Sequence, residues 1–227
     1  MSAAATAKVT RGIDGEDIAR MIAVTLAATA EAALQARGRA DLCLAGGTTP
    51  LRAYELLGQL RDDWRGVHLW YGDERCVPFD DPDSNHGQAL ARLKLPGAQF
   101  HPMPGELGPF EGARVYEQEF GDTVLDLALC GMGPDGHTAS LFPGHPLLES
   151  RDRVAGIDDA PKPPNQRITL TLPALNSARS IVLAVGGADK ATALKRVLEK
   201  PGGATPASLL DRSKLEILCD EAAWSSG

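Results

Sequence analysis

Leu127-Ala128-Leu129-Cys130-Gly131-Met132-Gly133-Pro134-Asp135-Gly136-His137-Thr138-Ala139-Ser140-Leu141-Phe142-Pro143 is the stretch on which the reading of this chain turns. It continues an apolar run over 124–130 that only Asp126 interrupts, and such a run at strand length reads as a buried strand. Gly131, Gly133 and Gly136 then carry the backbone through turns that most side chains forbid. Asp135 and His137 follow at the strand's C-terminal end, where open α/β sheets hold their ligands.

The same residues satisfy G-x-G-x-x-G, and Asp158 lies about 20 residues on, where a dinucleotide-binding unit places its ribose-binding acid. That unit also needs a long helix starting in the loop. Pro143, Gly144 and Pro146 stop a helix after about two turns, which argues against a nicotinamide or flavin site. A glycine-rich turn that merely holds a structural histidine stays open on these residues alone.

Outward from this stretch, strands and helices alternate. A helix is expected over 14–36, capped by Asp14 and ended by Gly38. Strands are expected over 40–45, 67–71, 167–172, 180–185 and 215–219, with a weaker one over 153–157. Helices are expected over 50–60 (Thr49 as cap, Pro50 in the first turn), 85–95, 110–120 and 188–199. The pattern predicts an α/β fold with a doubly wound, mostly parallel sheet and helices on both faces, as one domain over 1–227. The Pro-rich stretch 160–165 is expected to be an extended surface loop.

The chain has 227 residues, 43% of them hydrophobic, and a net charge of −7, which argues against nucleic acid or an anionic membrane as partner. Cys43, Cys76, Cys130 and Cys219 form no C-x-x-C pair and read as reduced thiols. Residues 1–11 lack the apolar core of a signal peptide, and the Ala-rich 18–34 stretch is too polar to span a bilayer. A cytoplasmic protein without membrane contact or an evident obligate protein partner is expected.

Three further junctions carry groups suited to an anion. Gly46-Gly47-Thr48-Thr49-Pro50 offers converging N–H groups, hydroxyls and a helix N-terminus, which suits phosphate, although a plain tight turn accounts for it as well. It lacks the G-K-[ST] of a nucleoside-triphosphate loop. Asp73-Glu74-Arg75 follows a strand and reads equally well as a solvated loop, while Arg75 suits a bidentate contact to phosphate or carboxylate. Lys190, in Gly186-Gly187-Ala188-Asp189-Lys190, is expected in a first helical turn, where a cation opposes the helix dipole unless an anion binds beside it, although a plain surface lysine stays open. Arg167, at the head of its strand, is a weaker candidate of the same kind.

His137 is the side chain best suited to proton transfer near neutral pH, with Asp135 placed to orient its ring. Neither Ser140 nor Cys76 lies in a nucleophile elbow, which favours base-assisted attack by water over acyl-enzyme chemistry. The five histidines make no H-x-x-x-H pattern, so no metal site is expected.

Together, Gly46-Gly47-Thr48-Thr49-Pro50, Asp73-Glu74-Arg75-Cys76-Val77-Pro78 with Ser84-Asn85, and the 131–143 stretch resemble the 6-phosphogluconolactonase family. The resemblance runs in order from about residue 40 to 200 and takes in Gln166-Arg167-Ile168-Thr169-Leu170 and Asp189-Lys190. It implies a fold shared with glucosamine-6-phosphate deaminases. It also implies metal- and cofactor-independent hydrolysis of 6-phospho-D-glucono-1,5-lactone, the second step of the oxidative pentose phosphate pathway. By the same resemblance His137 is the general base and Asp135 its partner. Gly46, Gly47, Thr48, Thr49, Asp73, Arg75, Arg167 and Lys190 then surround the phosphorylated sugar lactone. A deaminase of this family carries a Glu five residues after the His; this chain has Phe142 there. A sugar-phosphate sensor without catalysis is a further alternative, against which the intact Asp135/His137 pair argues.

Overall fold

Seven strands form one parallel sheet in the computed structural model, which describes residues 7–199 and 201–225. In chain order they are β1 (Lys8–Gly12), β2 (Ala40–Leu44), β3 (Val67–Tyr71), β5 (Gln99–Phe100), β6 (Leu127–Gly131), β9 (Ile181–Val185) and β10 (Leu215–Asp220). Across the sheet the order is β1-β10-β9-β6-β2-β3-β5, with every neighbouring pair parallel. From β2 the chain winds outward to β3 and β5, and then returns to the other side of β2 to lay down β6. The chain therefore winds in opposite directions from that point, the arrangement that puts helices on both faces of a parallel sheet. The expected doubly wound sheet is present, and its switch point lies between β2 and β6.

The strands are central because they are apolar throughout. All five residues of β2 and of β9 are buried, as a strand covered on both faces requires. Helix α1 (Gly15–Arg37) buries Ile18, Ile22, Leu26, Ala30 and Ala33 on one face, starts on Asp14 and ends at Gly38 in the left-handed region, as expected. Tyr54 of helix α2 (Thr48–Leu57) donates its hydroxyl to the Ala45 carbonyl at 2.7 Å and accepts from the Ala45 N–H at 2.9 Å. This buried phenol fixes the chain where it leaves β2 for the helix.

Several local expectations are corrected. Helix α2 begins at Thr48, not Pro50, and its cap is Gly47, with no side-chain capping bond from Thr49. Helix α3 (Asn85–Leu90) is shorter than expected and capped by Ser84, whose hydroxyl accepts from the Gly87 N–H. Strand β8 (Arg167–Leu170) stops early, and 172–177 form helix α5 (Leu172–Ser177). The Asp73-Glu74-Arg75 triplet is strand β4 (Asp73–Arg75), not a loop. It pairs antiparallel with β8, which pairs in turn with β7 (Val154–Ile157). Helix α4 (Pro109–Phe120) packs against β7 and β8, and helix α6 (Ala191–Glu199) follows β9.

A charged strand is tolerated there because its charges are satisfied. Glu74 is 1% exposed and accepts from the N–H groups of Arg75, Asn85 and His86, each at 2.7 Å, and from the Ser84 hydroxyl at 3.1 Å. Burial pushes its carboxyl above the usual carboxylate range, and the backbone donors only partly offset this. Glu74 therefore ties β4 to the start of α3 and turns its neighbours Asp73 and Arg75 to the other face. Among the described residues no helix is long and apolar enough to cross a membrane. Glu74→Ala leaves three buried N–H groups and a hydroxyl without an acceptor, and is expected to cost about 3 kcal/mol or more in urea unfolding. A loss under 1 kcal/mol would contradict this role.

Candidate active site

A cavity of about 270 Å³ opens at the C-terminal ends of β2, β6 and β9, over the switch point of the sheet. Its walls come from chain segments far apart in sequence. Ala45 to Pro50 leave β2, Gly131 to Gly133 leave β6, and Gly186 and Lys190 follow β9; Asp73, Arg75 and Arg167 reach in from the antiparallel sheet. Open α/β sheets bind ligands at this position because diverging crossovers leave a crevice there.

The β6 turn delivers His137 into the cavity. The ring's Nδ1 lies 2.5 Å from Oδ1 of Asp135, and the same carboxylate oxygen accepts from the His137 backbone N–H at 3.3 Å. A carboxylate only accepts, so Nδ1 carries the hydrogen, and Nε2 has no partner among the described residues. Burial would raise the Asp135 carboxyl, but its bonds and charge attraction to His137, with Lys162 beyond, hold it below the usual carboxylate range. The ring rests on buried Phe142, with centroids 4.9 Å apart. Phe142, five residues after the histidine, thus presents an apolar ring to the imidazole rather than a carboxylate.

Gly133 makes this arrangement possible. A Cβ there would lie 2.1 Å from Cε1 and 2.2 Å from Nδ1 of His137, and 2.7 Å from Oδ1 of Asp135. The turn is held by the Gly133 N–H to the His137 carbonyl at 3.0 Å, and by the Ala207 N–H to the Gly136 carbonyl at 3.0 Å.

Cations line the rest of the cavity. Arg167 is 5% exposed, its guanidinium gripped by the carbonyls of Pro164 and Lys162 at 2.9 Å each. Burial pushes it below the usual arginine value, and Arg75 adds to that while Asp73, 3.9 Å away, opposes it. Arg75 donates through Nη1 to the Asp83 carbonyl at 2.6 Å, while its buried Nε has no partner among the described residues. Lys190 ends a 3₁₀ turn (Ala188–Lys190) that leads into α6, and its Nζ donates to the Gly186 carbonyl at 2.8 Å. At α2, Gly47 adopts φ 103°, a conformation that side chains resist, so the turn reaches the helix with no side chain covering its first N–H groups. Those donors and the helix dipole face the cavity, together with Thr48 and Thr49.

The structure thus brings Gly46, Gly47, Thr48, Thr49, Asp73, Arg75, Arg167, Lys190 and His137 to one cavity, with Asp135 bonded behind the histidine. Two further side chains, to which the sequence alone assigns no role in the site, take part. Asn85 lines the cavity and donates to Asp73 Oδ1 at 3.2 Å, and Ser140 donates to Asp73 Oδ2 at 2.7 Å. Their place in the quoted motifs was the available signal; the partner that makes them matter, Asp73, is distant in sequence. Among the described residues no group of His, Cys, Asp and Glu side chains is arranged to hold a metal ion.

A family model described as glucosamine-6-phosphate isomerases/6-phosphogluconolactonase matches residues 13–219. The chain belongs to this family. It is 46% identical to the 6-phosphogluconolactonase of Rattus norvegicus over 170 residues, covering 68% of this chain and 66% of the rat protein. The match therefore spans just under two thirds of that relative's length. Against the 6-phosphogluconolactonase of Mycobacterium tuberculosis the identity is 42% over 198 residues, covering 78% of this chain and 79% of the relative. The solved structure of 6-phosphogluconolactonase from Thermotoga maritima superposes with a TM-score of 0.81 at 28% identity, over 94% of this chain and 99% of that one. The family's description names two chemistries, so family membership alone does not choose between them.

Gly133→Ala tests how the ring is held. In the unaltered protein, nitrogen NMR of neutral His137 is expected to report the Nδ1–H tautomer. In the variant the displaced ring is expected to revert toward the Nε2–H form that an unconstrained histidine side chain favours. An unchanged tautomer would show that the close approach does not govern the ring.

Proposed function

We propose that this protein is a hydrolase that opens 6-phospho-D-glucono-1,5-lactone to 6-phospho-D-gluconate, the lactone-opening step of the oxidative pentose phosphate pathway. The observation that carries the proposal is the His137 imidazole, bonded through Nδ1 to Asp135 and free at Nε2, beside a cavity lined by Arg75, Arg167 and Lys190. A neutral imidazole with a free Nε2 accepts a proton, and a ring of cations and helix N–H groups holds a phosphorylated anion. The named 6-phosphogluconolactonases among the relatives support the same reading.

The chemistry follows from that geometry. His137 Nε2 takes a proton from water as the water oxygen bonds to the lactone carbonyl carbon, and Asp135 stabilises the imidazolium that forms. The tetrahedral intermediate collapses by breaking the bond from C1 to the ring oxygen. The imidazolium returns its proton to that oxygen, leaving a hydroxyl at C5 and a carboxylic acid at C1 that ionises. Donors in the cavity offset the charge that builds on the carbonyl oxygen. Amine protonation and sugar ring opening have no second acid here, because Phe142 lies against the histidine.

The reaction needs no metal in this proposal, since Asp73, the carboxylate on the cavity wall, is engaged by Ser140 and Asn85. Exhaustive dialysis against EDTA is therefore expected to leave the rate unchanged, and a loss restored by a divalent ion would contradict it. His137→Ala is expected to lower kcat about 10²–10⁴-fold with the fold intact by circular dichroism. The assay uses freshly generated lactone, subtracts spontaneous hydrolysis, and is run beside glucosamine 6-phosphate. A variant as fast as the unaltered protein removes His137 from the mechanism, turnover of the amino sugar favours a deaminase, and binding without turnover of either compound favours a sensor.

A further inference from the structure

The Pro-rich loop over 160–165 grips both halves of the site. Its ends are closed by the Ala160 N–H to the Asn165 carbonyl at 3.1 Å and by the Asn165 side-chain amide to the Ala160 carbonyl at 2.5 Å. Ala160 is fully buried in a small cluster with Phe142 and Ile157, and Phe142 is the residue under the His137 ring. From this fixed base Lys162 reaches in two directions. Its carbonyl accepts from Arg167 at 2.9 Å, and its ammonium lies 3.8 Å from Oδ2 of Asp135, the oxygen that His137 does not use.

We propose that Lys162 is a positioning residue for the His137–Asp135 pair, holding the outer carboxylate oxygen and, through its charge, favouring the neutral, proton-accepting form of the imidazole. The proposal rests on His137 acting as the base. An isolated ion pair with a half-exposed lysine contributes little to stability, so its significance lies in where the charge stands. The carboxylate in contact with His137 favours imidazolium, and a cation just behind that carboxylate opposes it. His137 and Lys162 are the titratable groups that act on the Asp135 carboxyl. On its cavity side His137 faces Asp73, Arg75, Arg167 and Lys190, which no Lys162 variant alters.

The sign is then determined. Without the lysine charge the imidazolium is favoured, so the acid limb of kcat/KM moves to higher pH. Lys162→Met is expected to move it by about half a unit, lowering kcat/KM on that limb about threefold, and Lys162→Glu by about one unit. Lys162→Arg is expected to leave it near its original place. The displacement in Lys162→Met is expected to shrink in 0.5 M salt, where exposed charges are screened. If Lys162→Met and Lys162→Glu lose activity equally at all pH values, with the limb unmoved, the loop is only structural and the proposal fails. His137→Asn, measured alongside, separates the two readings: its retaining full activity would overturn the base itself, whereas its inactivity with an unmoved limb in the Lys162 variants would overturn only the role of Lys162.

Discussion

The bond from Asp135 to Nδ1 of His137, made across a backbone position too close for any side chain, is the constraint on which the rest of the site depends. An imidazole on a glycine-rich turn would otherwise sample several rotamers and both tautomers. Bonding at Nδ1, contact with Phe142 and the missing Cβ at Gly133 leave one orientation, with the free nitrogen beside the cavity. The hydrogen bonds that close the turn and dock it on Ala207 carry that restriction back to the scaffold.

The second requirement is a positive pocket in a chain whose net charge is −7. Topology meets it. The switch point between β2 and β6 collects loop ends from both halves of the sheet, and the antiparallel β4–β8–β7 sheet projects Arg75 and Arg167 over them. Arg167 is held by backbone carbonyls, with the Asp73 carboxylate 3.9 Å away, so its charge is oriented without being neutralised in a tight pair. The first N–H groups of α2 carry no side-chain cap and the buried Nε of Arg75 has no partner among the described residues, which leaves donors of the kind an anion engages facing the cavity.

The glycine-rich turn with Asp135 and His137, the Gly46 to Thr49 turn and the alternation of strands and helices were all legible in the sequence, because each is set by residues adjacent in the chain. What was not legible depends on partners far away. Asp73-Glu74-Arg75 looks like a solvated loop until Ser84, Asn85 and His86 bring the donors that bury Glu74. Thr49 is a strong capping residue by type, whereas the positive-φ turn at Gly47 decides where α2 starts. Strand β1 is not legible because Lys8–Gly12 is an edge strand of mostly exposed or half-buried residues, and its register comes from β10. The Pro-rich loop read correctly as a loop, but its hold on Arg167 and Asp135 appears only when three segments meet in space.

The most direct measurement is a crystal structure with 6-phospho-D-gluconate bound. The account predicts the product's C1 carboxylate within about 3.5 Å of His137 Nε2 and its phosphate among the cavity's cations, with Asp135 still on Nδ1. A phosphate seated on His137, or a ligand bound away from the cavity, would contradict it.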